Sequence, residues 1–125
     1  MKKTSPKKVL IVDDDFDIRL ALAELLIGEG YKVATARDGQ AGLCYLENEQ
    51  ELPCLVLLDM KMPVLNGYQF RNIQKNTKDI SEVPVVFMSA EPKKLEKIDG
   101  QFLEKPFDLI NVIKTVEKYS KKTVY

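Results

Sequence analysis

Three acidic residues in a row, Asp13, Asp14 and Asp15, directly follow the apolar run VLIV at 9–12. Like charges packed together repel, so the arrangement is useful only beside something positive. The same punctuation recurs along the chain. The run at 54–58 ends at Asp59, the run at 85–88 ends at Ser89, and QFL at 101–103 leads into Glu104, Lys105 and Pro106. Gathered carboxylates either shift their pKa values or hold a cation. Mg2+ takes oxygen ligands at ~2.1 Å and usually keeps several waters, so two or three carboxylates with a backbone carbonyl suit it. A carboxylate nucleophile, a divalent cation, a lysine and a hydroxyl make a phosphoryl-transfer site. Fixed positive groups there stabilise the transferring group during in-line attack.

Such chemistry needs its parts delivered to one place. Runs at 9–12, 31–36, 54–58 and 85–88, and a weaker one at 101–103, are aliphatic and β-branched enough for strands buried on both faces. Between them, apolar spacing predicts a helix over 16–29, with Ile18, Leu22, Leu25 and Leu26 on one side and Gly30 as the stop. A second covers 38–49, with Asp38 as N-cap and Ala41, Leu43, Tyr45 and Leu46 along it. A third covers 66–76, with Tyr68, Phe70 and Ile73. The last is expected to start at Pro106 and run through Leu109, Ile110, Val112, Ile113 and Val116.

Strand and helix therefore alternate five times. The expected fold is α/β: a flavodoxin-like, doubly wound, five-stranded parallel sheet of order 2-1-3-4-5, with helices on both faces and right-handed crossovers. In a parallel sheet all the polar strand ends share one edge. Ligands bind outside that edge where strand order reverses, here between strands 1 and 3. Those strands end in Asp13–Asp14 and in Asp59, and neighbouring strands lie ~4.8 Å apart.

Composition narrows the field. The 125 residues suit one domain, structured over about 7–120, with MKKTSPKK a short mobile tail. Nineteen basic and nineteen acidic residues cancel, which argues against direct nucleic-acid binding. No run of ~18 apolar residues exists to span a membrane, and no secretory core follows the basic start. Cys44 and Cys54 sit in apolar surroundings and read as reduced, buried, structural residues of a cytosolic protein.

In order, VLIVDDD, LLDMKMPVLNG, VPVVFMSA and LEKPF resemble the receiver domain of bacterial two-component response regulators, over nearly the whole chain. The resemblance implies a cytoplasmic signalling module that is not an enzyme, beyond catalysing its own phosphoryl acceptance and slow loss. It implies Asp59 as phosphoacceptor, and Mg2+ held by Asp13, Asp14, Asp59 and the backbone carbonyl of Lys61. It implies Ser89 as switch hydroxyl, Lys105 on the phosphoryl group, Phe102 as an aromatic that changes rotamer, and a cis Lys105–Pro106 bond. The implied partners are a histidine kinase or histidine phosphotransfer protein and an unidentified downstream protein.

Other readings of the same residues stay open at this point. Asp15 and Asp17 suit a helix start regardless of function. Asp13, Asp15, Asp17 and Glu24 mimic a calcium loop, but Ile18 stands where its sharp turn needs glycine. A haloacid-dehalogenase-like phosphatase would use Asp13 as nucleophile with Asp15, Ser89 and Lys105, and would leave DMKMP at 59–63 unexplained. A pseudo-receiver would lack a catalytic acid or the lysine, and none is missing. The 15 residues between Ser89 and Lys105 are fewer than relatives usually have, which predicts a shortened fourth helix after Pro92 and an altered output face. Lys61 and Glu91, each two residues beyond a site residue, are expected to pair over the site and screen the acyl phosphate from water. Ile18 and Ala21 are candidates for partner docking.

Overall fold

The computed structural model describes residues 2–91 and 101–120. Its elements are β1 (Lys3–Val12), α1 (Phe16–Gly28), β2 (Lys32–Ala36), α2 (Gly39–Asn48), β3 (Glu51–Asp59), α3 (Gly67–Lys75), β4 (Val85–Ser89), β5 (Gln101–Glu104) and α4 (Leu109–Tyr119). All strand pairs are parallel, in the order β2-β1-β3-β4-β5, as the alternating pattern requires. The expected shortened helix falls in 92–100, outside the described residues.

The sheet is buried on both faces, and alternation divides its side chains between two cores. Leu10, Val12, Val56 and Leu58 meet Leu43, Leu46 and Phe70 of α2 and α3. Val9, Ile11, Leu55 and Leu57 meet Leu22, Leu26, Val112 and Val116 of α1 and α4. Complete burial of one such leucine contributes ~1.5–3 kcal/mol. This is why the strands read as unbroken apolar runs.

The helices start and stop for local reasons. Asp15 caps α1, its carboxylate accepting from the N–H groups of Asp17 and Ile18. Gly30, at φ +94°, ends it: Gly30 N–H donates to Ile27 and Tyr31 N–H to Leu26, satisfying the last carbonyls. Asp38 caps α2, and Asn66 with Gln69 forms a reciprocal capping box on α3.

Several sequence expectations need correcting. The supposed tail is strand: Lys3, Thr4 and Ser5 pair with Glu51, Leu52 and Pro53, with a register shift before Val9. Lys2 Nζ donates to the carbonyls of Leu46 and Glu47 at the end of α2, so backbone pairing and charge hold this stretch without an apolar face. The last helix begins at Leu109 rather than Pro106, because the Asp108 carboxylate accepts from the N–H groups of Ile110 and Asn111. Leu109 and Ile110 are exposed. On α3, Tyr68 and Ile73 face outward; Phe70 and Gln74 face in. Gln74 is fully buried because its amide donates to the carbonyls of Ile80 and Val83. Cys54 is buried as expected, but Cys44 lies exposed on α2, whose inward positions are Leu43 and Leu46. No helix among the described residues is long and apolar enough to cross a membrane.

Candidate functional site

The carboxyl ends of β1, β3 and β4, with the turn after β5, converge on a cleft of about 200 Å³. Asp13, Asp14, Asp59, Lys61, Ser89 and Lys105 all line it. The residues named from the sequence are thus brought together, except Phe102, which the family resemblance alone implied. That half-buried ring stacks on Phe87 at 5.7 Å between centroids, on the core side shared with α2 and α3.

Asp13 has no solvent exposure and is held on every side. Its N–H donates to the Ala36 carbonyl. Its Oδ1 accepts from Asp15 N–H at 2.9 Å, and its Oδ2 accepts from Lys105 Nζ at 2.8 Å. Its carbonyl accepts from Arg19 Nη1 at 2.7 Å. Asp14, next along, is exposed.

Asp59 closes β3 and is 5 % exposed. Lys105 Nζ lies 3.3 Å from its Oδ1, and Lys61 N–H reaches the same oxygen at 3.4 Å. Burial, and then the neighbouring Asp13 charge, push its carboxyl up to about 6, while Lys105 pulls the other way. Burial works to lower the Lys105 pKa, but its hydrogen bond to Asp13 and the two carboxylate charges outweigh that and raise it. One ammonium thus serves two carboxylates, with a third nearby. An oxygen from each of Asp13, Asp14 and Asp59 lies within 4.8 Å of the others. Three hard oxygen donors around one point, short of positive charge, fit a small divalent cation of the Mg2+ type.

The rim is tied together by the backbone. Met60 N–H donates to Met88, and Lys105 N–H donates to the Ser89 carbonyl at 2.8 Å. The Lys105–Pro106 bond is cis. Gly67 starts α3 so close to β3 that an added Cβ would sit 2.6 Å from Met60 Sδ and 3.1 Å from the Asp59 carbonyl. Ser89 is buried, and its Oγ accepts from Glu91 N–H at 2.9 Å. Lys61 Nζ and Glu91 Oε2 are 3.7 Å apart at the exposed lip. Asp15 caps α1 and Asp17 lies in its first turn, the helix-start positions their type suits. Ile18 is half-buried against the α1/α4 core, and Ala21 is exposed. Sequence reasoning missed Arg19. Its signal was a cation in the first turn of a helix, where the dipole disfavours positive charge.

Known proteins resemble this chain in sequence and fold. The family described as the response regulator receiver domain matches residues 9–117. The sporulation initiation phosphotransferase F of Bacillus subtilis is 37 % identical over 122 residues, covering 90 % of this chain and 93 % of that protein. The chemotaxis response regulator CheY4 of Vibrio cholerae superposes with a TM-score of 0.79 at 26 % identity, covering 95 % of this chain and 99 % of that one. The receiver domain of the sensor histidine kinase PA1611 of Pseudomonas aeruginosa, solved with magnesium coordinated in its active-site cleft, gives 0.81 at 21 %, over 92 % and 98 % of the chains. The chain spans less than half the length of several curated transcriptional regulators that it also matches.

Proposed function

This chain belongs to the response regulator receiver family of two-component signalling, and we propose that it takes a phosphoryl group onto Asp59 from a phosphohistidine. One observation carries the reading: Asp59, Asp13 and Asp14 converge, with Lys105 Nζ at 3.3 Å from the first and 2.8 Å from the second. In this reading Mg2+ is held by Asp13, Asp14, Asp59 and the backbone carbonyl of Lys61. Bound there, the cation supplies charge neutralisation for the transferring group. A carboxylate oxygen of Asp59 attacks phosphorus, the phosphorus–nitrogen bond breaks, and the donor imidazole leaves with the bonding pair. Lys105 lies where it can pair with a phosphoryl oxygen as the Asp59 charge is spent on the new bond. Ser89 Oγ accepts from Glu91 N–H, so its own proton is free to turn toward the phosphoryl group and draw residues 89–91 with it. That is a population shift driven by one new charge, with Phe102 as a second element that follows it. Hydrolysis of the acyl phosphate resets the site.

The donor is a histidine kinase or a histidine phosphotransfer protein of the cytoplasm, and an unidentified protein reads the switched state. The phosphatase alternative needs Asp13 as nucleophile and leaves the buried Asp59, which lies beside Lys105 in the same cleft, without a role. The test is intact-mass measurement after incubation with a small-molecule phosphodonor and Mg2+. Wild type is expected to gain one phosphoryl group and Asp59→Asn none. A wild type that stays unmodified overturns the proposal in favour of a non-phosphorylated interaction module.

A further inference from the structure

Arg19 sits in the first turn of α1 beside the capping carboxylate of Asp15, yet its guanidinium bonds neither Asp15 nor Asp17. It reaches back over the turn, and Nη1 donates to the backbone carbonyl of Asp13 at 2.7 Å. The ring of Phe16, itself 63 % exposed, lies 5.7 Å from the guanidinium carbon. We propose that Arg19 is a positioning residue for Asp14, fixing the peptide from which that carboxylate projects into the acidic cleft. The inference rests on the cation-assisted phosphoryl acceptance proposed above.

The reasoning turns on how differently the two adjacent carboxylates are held. The Asp13 side chain is fixed directly, by Asp15 N–H and by Lys105. Among the described residues no hydrogen bond or ion pair holds the Asp14 side chain, which is exposed. Its carboxylate nonetheless lies within 4.8 Å of those of Asp13 and Asp59, where repulsion drives it outward. Its place must then come from the backbone. The Asp13 carbonyl belongs to the Asp13–Asp14 peptide, so a bond to that oxygen sets the plane from which Asp14 departs. Arg19 supplies the bond and a positive charge beside three negative ones. The Phe16 ring limits where the guanidinium can go. This gives an exposed phenylalanine a role at the site that needs no partner protein.

The test titrates Mg2+ calorimetrically into wild type, Arg19→Met, Arg19→Lys and Phe16→Ala, each as the full chain. Partners that orient a metal ligand typically change affinity at least ~10-fold when removed, and Arg19→Met is expected to weaken Mg2+ binding by about that factor. Arg19→Lys keeps one donor and is expected to recover most of the loss. Phe16→Ala leaves the donor in place and is expected to weaken binding ~2-fold, as for loss of a weak exposed cation–π contact. In phosphodonor kinetics the Mg2+ concentration for half-maximal rate should rise by the same factor, with the rate at saturating Mg2+ unchanged. An Arg19→Met chain that binds Mg2+ like wild type overturns the inference, and so does one with a lower plateau rate at unchanged half-saturation. Should Arg19→Met fail to fold, Arg19→Ala takes its place with the same expected loss, and an Arg19→Ala chain that binds Mg2+ like wild type overturns the inference. A wild type that neither binds Mg2+ nor takes phosphate instead overturns the reading of the site.

Discussion

The two edges of the sheet each carry a buried-stem lysine among acids, and they resolve the contact in opposite ways. At the amino edge Lys8 pairs with Glu49 at 2.9 Å and lies over the Tyr45 ring. The hydrogen bond and charge of Lys8 hold the Glu49 carboxyl below its ordinary range. At the carboxyl edge Lys105 faces Asp13 and Asp59 together, and Asp59 is nonetheless pushed up to about 6. Both edges use the same chemical groups, and the difference is stoichiometry and burial. One lysine satisfies one half-exposed glutamate; one lysine cannot satisfy two buried aspartates with a third alongside. The amino edge is a finished structural contact. The carboxyl edge is short of positive charge, which is the property a cation or a phosphoryl-transfer site requires.

Removing each lysine tests that contrast most severely. Lys105→Met strands the Asp13 carboxylate inside the protein and is expected to cost ~3 kcal/mol in urea denaturation at pH 7. Lys8→Met, at a contact open to solvent, is expected to cost under ~1 kcal/mol. Equal losses would erase the distinction between the edges.

Packing should separate the edges too. Gly67→Ala drives a methyl into Met60 beside Asp59 and is expected to destabilise by ~2 kcal/mol and slow phosphoryl acceptance. Gly28→Ala, with nothing within 4 Å of the new methyl, is expected to stabilise α1 by ~0.5 kcal/mol in the same melts.

The pH dependence has a definite sign. The folded Asp59 carboxyl titrates near 6 against an ordinary 3.8, so its contribution to stability is complete below pH 3.8 and is lost as pH rises through 6. Asp59→Asn is therefore expected to be more stable than wild type at pH 7 by ~1–2 kcal/mol, with the gap closing near pH 3.5. Glu49 runs the other way: lowered by Lys8, it adds stability that falls away on acidification, so Glu49→Gln should be slightly less stable at pH 7. The smallest effect is expected at the lip. Lys61→Ala breaks an exposed pair with Glu91 and should shorten the phosphate lifetime by no more than ~3-fold. An unchanged lifetime would mean that the pair does not screen the acyl phosphate.

The sequence revealed most where burial writes a simple pattern. Doubly buried strands are continuous apolar runs, and the residues ending them stood out because an aspartate after CLVLL is costly without a partner. The lengthened β1 was hidden because Lys3, Thr4 and Ser5 are held by backbone pairing and carry no apolar signature. Helical spacing marked Tyr68, Phe70 and Ile73 along α3 without showing that, of these, Phe70 faces in, together with a buried glutamine, Gln74. The burial of Gln74 depends on the carbonyls of Ile80 and Val83, which accept from its amide and which no local pattern encodes. Arg19 was overlooked for the same reason: its partner is a backbone oxygen, and a backbone oxygen has no letter in the sequence.

The most direct measurement of the central claim is to locate the phosphoryl group. The phosphorylated chain is reduced with borohydride, which converts an aspartyl phosphate to homoserine, then digested and sequenced by mass spectrometry. Modification confined to Asp59, and dependent on Mg2+, is the predicted result; modification of Asp13 or Asp14 with Asp59 untouched would contradict it.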